Sequence, residues 1–216
     1  MELRSLVIFS LLILSLWLAS LAALNHYPVG TELDHIQLIR TPAADFTFKW
    51  ITRLGEVWIY FIVAIYFGLH RRFGKVGQVA LLGSLVMVLS MALKLYFAHP
   101  RPALAWAGFG QMASIPGVTW RATLDSFPSG HTMSAVVIFG WLALRSRNGF
   151  FAALSALTAG LVGFSRIYLA EHFLKDVSMG LITGLALLWI YWRVQWALDP
   201  GRHAKPGISS DHSSSK

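Results

Sequence analysis

Six apolar stretches punctuate the chain, at residues 6–24, 57–69, 76–97, 132–144, 150–164 and 177–192, with polar residues gathered between them. About 20 apolar residues carry a helix across the hydrocarbon of a bilayer. Only the first and third stretches reach that length alone, so the other helices are expected to continue into polar flanks such as 52–56 and 165–172. Polar residues at the ends of short apolar cores predict a wet site near one membrane surface. The pattern therefore predicts an all-α fold: an integral membrane bundle of six transmembrane helices, a single domain over residues 1–200. The first stretch has a basic start at Arg4 and small residues at Ala22 and Ala23, as a signal peptide would. Its 19-residue apolar stretch exceeds the usual 7 to 15 of such a segment, so it is read as a retained anchor. Residues 201–216, rich in Ser, Gly, His and Lys, read as a disordered cytoplasmic tail.

Composition agrees with the pattern: 56% hydrophobic residues and 13% charged residues set the chain apart from soluble domains. With 216 residues divided among six crossings, little mass remains outside the membrane, and an active site must use short loops and helix ends. No cysteine is present, which excludes disulfides, thiolate metal sites and a cysteine nucleophile. The net charge of +8 suits topology signals, anionic headgroups or an anionic substrate. Nucleic acid fits poorly, because the basic residues are dispersed between apolar runs and form no continuous stripe.

Charge also sets an orientation. Assigning Lys and Arg to alternate sides of six spans puts ten on the side of both termini and eight on the other. Three of the eight, Lys94, Arg101 and Arg166, belong to polar clusters described below, and setting them aside leaves ten against five. The positive-inside rule then makes both termini cytoplasmic and turns the loops 25–56 and 98–130 outward.

Three polar clusters fall on that outward side. Residues 94–102, KLYFAHPRP, place Lys94 in the last turns of the third span and Arg101 just after it. Alone, this is a snorkelling lysine and a proline helix stop. Residues 127–131, FPSGH, open the fourth span, where Ser129 suits an N-cap. Residues 165–176, SRIYLAEHFLKD, join the last two spans. On a helix, His172 and Asp176 at i and i+4 share a face, and the carboxylate can accept a hydrogen bond from the imidazole. Alone, that pair is an interfacial histidine with a solvated aspartate. Three cations at one membrane face call for an anion, and two histidines beside it supply a nucleophile and a separate general acid.

The spacings KxxxxxxRP, PSGH and SRxxxxxHxxxD resemble, in order and internal distance, the three-part signature of the type 2 phosphatidic acid phosphatase superfamily. The resemblance implies roles. His172 is the nucleophile, Asp176 fixes its tautomer, and His131 is the general acid and then base. Lys94, Arg101, Ser129, Gly130 and Arg166 cradle the phosphate. It also implies that no metal and no cofactor take part, since the cations do the work of Mg²⁺ in other phosphotransferases. Similar bacterial proteins often carry Gly where this chain has Ala170, and Pro-Thr or a similar pair at Leu174 and Lys175; these departures bear on substrate preference. His99, His26, His35, Asp34 and Glu56 are read as interfacial.

The family resemblance implies a lipid phosphate or diphosphate substrate: undecaprenyl diphosphate, phosphatidylglycerol phosphate or phosphatidic acid. It also implies a bacterial cytoplasmic membrane location, with the site facing the periplasm. Lipid A 1-phosphate hydrolysis and phosphate transfer to another lipid are the enzyme alternatives. A lipid-binding or transport protein that has lost catalysis is the non-enzyme one. Vanadium haloperoxidases share the pocket type, but six apolar spans argue against that reading. Substrate choice and oligomeric state stay open at this point.

Overall fold

The computed structural model describes residues 3–198; the predicted tail over 201–216 lies outside the described residues. Its elements are α1 (Leu3–His26), α2 (Thr31–Ile39), α3 (Pro42–Ile51), α4 (Trp58–Leu69), α5 (Phe73–Phe97), α6 (Pro102–Ala105), α7 (Gly130–Arg145), α8 (Gly149–Tyr168) and α9 (Leu174–Ala197), with short 3-10 turns at Thr52–Gly55 and Phe109–Gln111. Every regular element among the described residues is helical. Local signals set several of the ends. Thr41 caps α3 with Pro42 in its first turn, Asn148 caps α8, and Ser129 caps α7.

α1, α5 with α6, α8 and α9 are long and apolar enough to cross a membrane. α3 and its 3-10 turn join α4 as one further candidate bent by 58°, which gives four spans, or five with the bent pair. The second apolar stretch is thus the lower arm of a broken helix pair. α7, the fourth stretch, has 16 residues, so it is about 24 Å long and shorter than the hydrocarbon core. Outer faces confirm the solvent these helices meet. Leu11 and Leu18 on α1 and Met87, Val88 and Met91 on α5 are exposed, an apolar surface far larger than soluble monomers show. The protein is an integral membrane protein.

α7 sits at the centre, packed most extensively against α8 and α9 and also against α5 and α1. Met133, Val136, Val137, Ile138, Trp141 and Leu144 are all fully enclosed, as expected of a helix apolar on every side. Close approach of the helices depends on small residues. A Cβ at Gly180 of α9 would stand 2.8 Å from the Ser129 carbonyl and 2.9 Å from Thr132 Cβ. A Cβ at Gly55 would stand 2.7 Å from the His131 carbonyl, so these glycines let α9 and the 3-10 turn touch the start of α7.

A second apolar cluster caps the end of the bundle where α7 begins. Leu33 and Ile36 of α2 pack with Trp106, Ile115, Tyr168, Leu169 and Phe173. Acidic residues of the first loop make structural bonds here; Asp34, expected to be interfacial, is exposed and still takes one of them. Asp34 accepts the Trp106 indole N–H at 2.9 Å, and Asp45 accepts the Tyr168 hydroxyl at 2.9 Å. Glu32 accepts the Leu174 N–H, one of the unsatisfied donors opening α9.

Candidate active site

All eight residues singled out from sequence lie at this capped end, around the start of α7. The nucleophile candidate is held on one side. His172 Nδ1 lies 3.3 Å from Asp176 Oδ2 and 3.3 Å from Ser126 Oγ, and Nε2 has no hydrogen-bond partner among the described residues. The expectation of a shared helix face is corrected here. His172 belongs to the turn before α9, and Asp176 is the third residue of that helix, where its Oδ2 accepts the Phe173 N–H at 2.9 Å and the Ser126 hydroxyl at 2.5 Å. The carboxylate at the helix start caps and orients at once, which the positive end of the helix dipole favours. Asp176 also binds the second cluster to the third through its carbonyl, which accepts the Ser129 N–H at 2.9 Å.

His172 is 1% exposed. Burial, then the positive charges of Arg166, Arg101 and Lys94, hold its imidazole well below the ordinary histidine range, and hence neutral. A neutral ring with a free Nε2 is the form that attacks phosphorus.

The three cations surround this histidine unequally. Arg101, 1% exposed, is held by a loop pairing in which its own N–H donates to the Thr123 carbonyl and the Ser126 N–H donates to that of His99. Its Nε donates to Asp125 Oδ1 at 2.7 Å, and its Nη1 donates to Glu171 Oε2 at 2.9 Å and to the Glu171 carbonyl at 3.1 Å. Arg166 Nη1 donates to Thr52 at 2.8 Å, and its Nη2 lies 3.3 Å from the same Glu171 oxygen. Its buried Nε has no partner among the described residues. Lys94, half-buried on α5, has no hydrogen-bond partner among them, and stands within electrostatic range of Arg101, Asp125 and Arg166.

Arg101 and Arg166 are therefore already paired with carboxylates, whereas Lys94 is only near one, Asp125. Burial raises the Asp125 carboxyl, but hydrogen bonds from Arg101 and Thr123 and the charges of Arg101 and Lys94 outweigh it and keep the group ionised. Besides the His172–Asp176 pair, the pocket carries three positive side chains, Lys94, Arg101 and Arg166, and two negative ones, Asp125 and Glu171.

The other side is open. His131 in the first turn of α7 is half-buried and borders a groove of about 690 Å³ between α4 and α5. Lys94, Asp125 and Gly130 line its polar end, while Tyr60, Val86, Met87, Met91 and Leu95 line the rest. Glu56, expected to be interfacial, borders the same groove and accepts the Trp58 indole N–H. Ser129 is fully buried; its Oγ accepts the Thr132 hydroxyl at 2.9 Å and turns the loop into α7.

Residues 75–200, more than half of the chain, match the PAP2 superfamily. The chain belongs to the PAP2 superfamily. It is 30% identical to Aquifex aeolicus LpxE, whose crystal structure aligns over 74% of this chain and 92% of that one with a TM-score of 0.60. The fold is also that of a PAP2-type phosphatidylglycerolphosphate phosphatase from Bacillus subtilis, at 24% identity, over 92% of this chain and 99% of that one, with a TM-score of 0.64. Among curated relatives, undecaprenyl-diphosphatase BcrC of Bacillus subtilis is 26% identical over 82% of this chain and 81% of its own length. Phosphatidylglycerophosphatase B of the same organism is 35% identical over 30% of this chain, a match that spans 36% of that relative's length.

Within the PAP2 pattern, sequence reasoning passed over four residues that contact the predicted ones: Glu171, Asp125, Ser126 and Thr52. Glu171 had a visible signal, as a carboxylate inside the third motif directly before His172. The others had none, because loop pairing and the bent α3–α4 connection bring them in. Ala170 has φ +50, a left-handed backbone that glycine adopts freely and alanine does not.

Proposed function

We propose that the protein is a lipid phosphatase of a bacterial cytoplasmic membrane, acting at its outer face through a phosphohistidine. The observation that carries this reading is the buried His172, held through Nδ1 by Asp176 and leaving Nε2 free, with Lys94, Arg101 and Arg166 within electrostatic range. The P–O bond to the lipid breaks as a bond from phosphorus to Nε2 forms, and His131 gives a proton to the leaving oxygen. His131 then takes a proton from water, which attacks phosphorus, releases inorganic phosphate and restores His172. Lys94, Arg101, Arg166, Ser129 and the Gly130 N–H hold the nonbridging oxygens; the arginine fork bonds two at once, and the lysine adds a point charge. Such preorganised charge contributes more than the proton transfer, itself worth roughly 10² to 10⁴ in rate.

The groove between α4 and α5 suits a lipid: its polar end meets Lys94 and His131, and its apolar length takes an acyl or prenyl chain. α7 is read as the sixth crossing, its short length offset by its enclosure within the bundle. Undecaprenyl diphosphate and phosphatidylglycerol phosphate are the favoured substrates, in line with the names of the Bacillus subtilis relatives. A phosphate-release screen of the purified protein tests this across those lipids, phosphatidic acid and lipid A 1-phosphate. Release is expected to survive EDTA and to be inhibited by vanadate, which resembles the five-coordinate transition state. No release from any of these lipids overturns the phosphatase reading, and loss in EDTA that Mg²⁺ or Zn²⁺ restores overturns the metal-free mechanism.

A further inference from the structure

The Glu171 carboxylate occupies a place that the active-site reading gives to the substrate. One oxygen, Oε2, takes Arg101 Nη1 at 2.9 Å and lies 3.3 Å from Arg166 Nη2, so a single anionic atom bridges the two guanidinium groups beside His172. That is the arrangement of a nonbridging phosphate oxygen between two arginines. The side chain is nearly buried, and the neighbouring residue in the chain is the nucleophile itself.

We propose that Glu171 is a built-in competitor for phosphate: it occupies the guanidinium pair in the empty site, yields it to the substrate, and reclaims it to expel inorganic phosphate. This rests on the reading of Arg101 and Arg166 as phosphate ligands. Two anions cannot share those donors without strong repulsion in a site this shielded from water. The exchange needs only the side chain to turn. The Glu171 backbone is fixed independently, since its N–H donates to the Arg166 carbonyl at 3.0 Å and its own carbonyl holds Arg101 Nη1. Arg101 therefore keeps its position when the carboxylate leaves. Donors also remain for the incoming anion: Arg166 Nε is buried without a partner, and Lys94 has no hydrogen-bond partner among the described residues. A purely cationic pocket would bind the released phosphate tightly and slow every turnover, whereas a tethered carboxylate offers each product ion a competitor at fixed, high local concentration.

The alternative role for Glu171, clamping the two arginines in place, predicts the opposite sign, and this makes the idea testable. Glu171→Gln keeps the shape and an acceptor oxygen but removes the charge. Glu171→Asp keeps the charge but is one methylene too short to bridge both groups. Inhibition of the purified full-length protein by inorganic phosphate and by orthovanadate is measured for each, along with KM and kcat on a short-chain phosphatidic acid. Both variants are expected to bind phosphate more tightly, Glu171→Gln by roughly tenfold or more, with KM lowered in parallel. If either folded variant binds phosphate as weakly as the parent or more weakly, Glu171 is a clamp and the proposal fails. Arg101→Ala and Arg166→Ala serve as the separate arm. Phosphate inhibition that does not depend on them shows that the active-site reading is at fault, whereas dependence on them with no tightening in the Glu171 variants refutes only the competitor.

Discussion

The two sides of the active site are built differently. The deep side, formed by Arg101, Arg166, His172 and Asp176, is nearly closed to solvent and internally hydrogen-bonded. The open side, Lys94 and His131, faces the α4–α5 groove, and Lys94 has no hydrogen-bond partner among the described residues. A buried polar network holds geometry when its groups are satisfied; the deep side is extensively bonded, with Arg166 Nε and Asp176 Oδ1 left without partners among the described residues. Groups that must meet a varying leaving group gain from being left free. On the proposed roles, the division would put the bond-forming atom in the enclosed half and proton traffic in the accessible half.

The most severe way to break this division is His172→Ala, which is expected to abolish both turnover and the phosphoenzyme. Rapid quenching with labelled substrate reads the adduct as acid-labile, base-stable phosphate. An adduct that persists in His172→Ala and vanishes in His131→Ala would show that the two sides have exchanged roles.

His131→Ala sharpens the comparison on the open side. A lipid alkoxide leaving a monoester needs a proton, whereas a lipid phosphate leaving a diphosphate is already a stable anion. Where chemistry limits the rate, the loss in kcat/KM is expected to be roughly 10² or more on phosphatidic acid and smaller on undecaprenyl diphosphate. Equal losses on both would remove the leaving-group role.

A milder probe is pH. On the proposed mechanism His172 attacks as the neutral ring, and burial and nearby cations lower its proton affinity, so falling pH protonates it only well below the ordinary value of 6.5. The acid limb of kcat/KM assigned to His172 is therefore expected well below that value. A limb near 6.5 that disappears in no other variant would mean that the deep side is wetter than its burial implies.

The smallest effect is expected at the turn carrying Glu171 and His172. Ala170→Gly relieves a left-handed backbone strain of about 1 to 2 kcal/mol but removes a buried methyl worth about 0.8 kcal/mol. The two nearly offset, so unfolding in detergent should shift by less than about 1 kcal/mol, with activity kept. A large loss would show that the methyl positions the deep side.

The sequence disclosed the three motifs and their common end of the bundle, because residue types and spacings carry that information. It gave the contact of His172 with Asp176 by the wrong geometry. Four residues separate them on a helix face, yet the same four here cross a helix start, and only the backbone path distinguishes the two. The helices α2 and α3 were hidden in a loop of mixed polarity, where Leu33 and Ile36 pack on a cap rather than in the bundle. The charge balance was hidden too, since Asp125 meets Arg101 only after the loop folds back. The fourth apolar stretch forms a helix packed among its neighbours, and its 16 residues are too few to cross a bilayer alone.

The groove between α4 and α5 bears on how the protein would count its substrate. Met87, Met91 and Leu95 line its opening and are exposed on the outer face of α5, so on the proposed reading access would be sideways and substrate would arrive by lateral diffusion within one leaflet. The quantity that sets occupancy is then a surface density, and diluting the substrate with inert lipid should slow the reaction even when the number of substrate molecules per millilitre stays the same. A cell could control such a protein by what else it places in that leaflet.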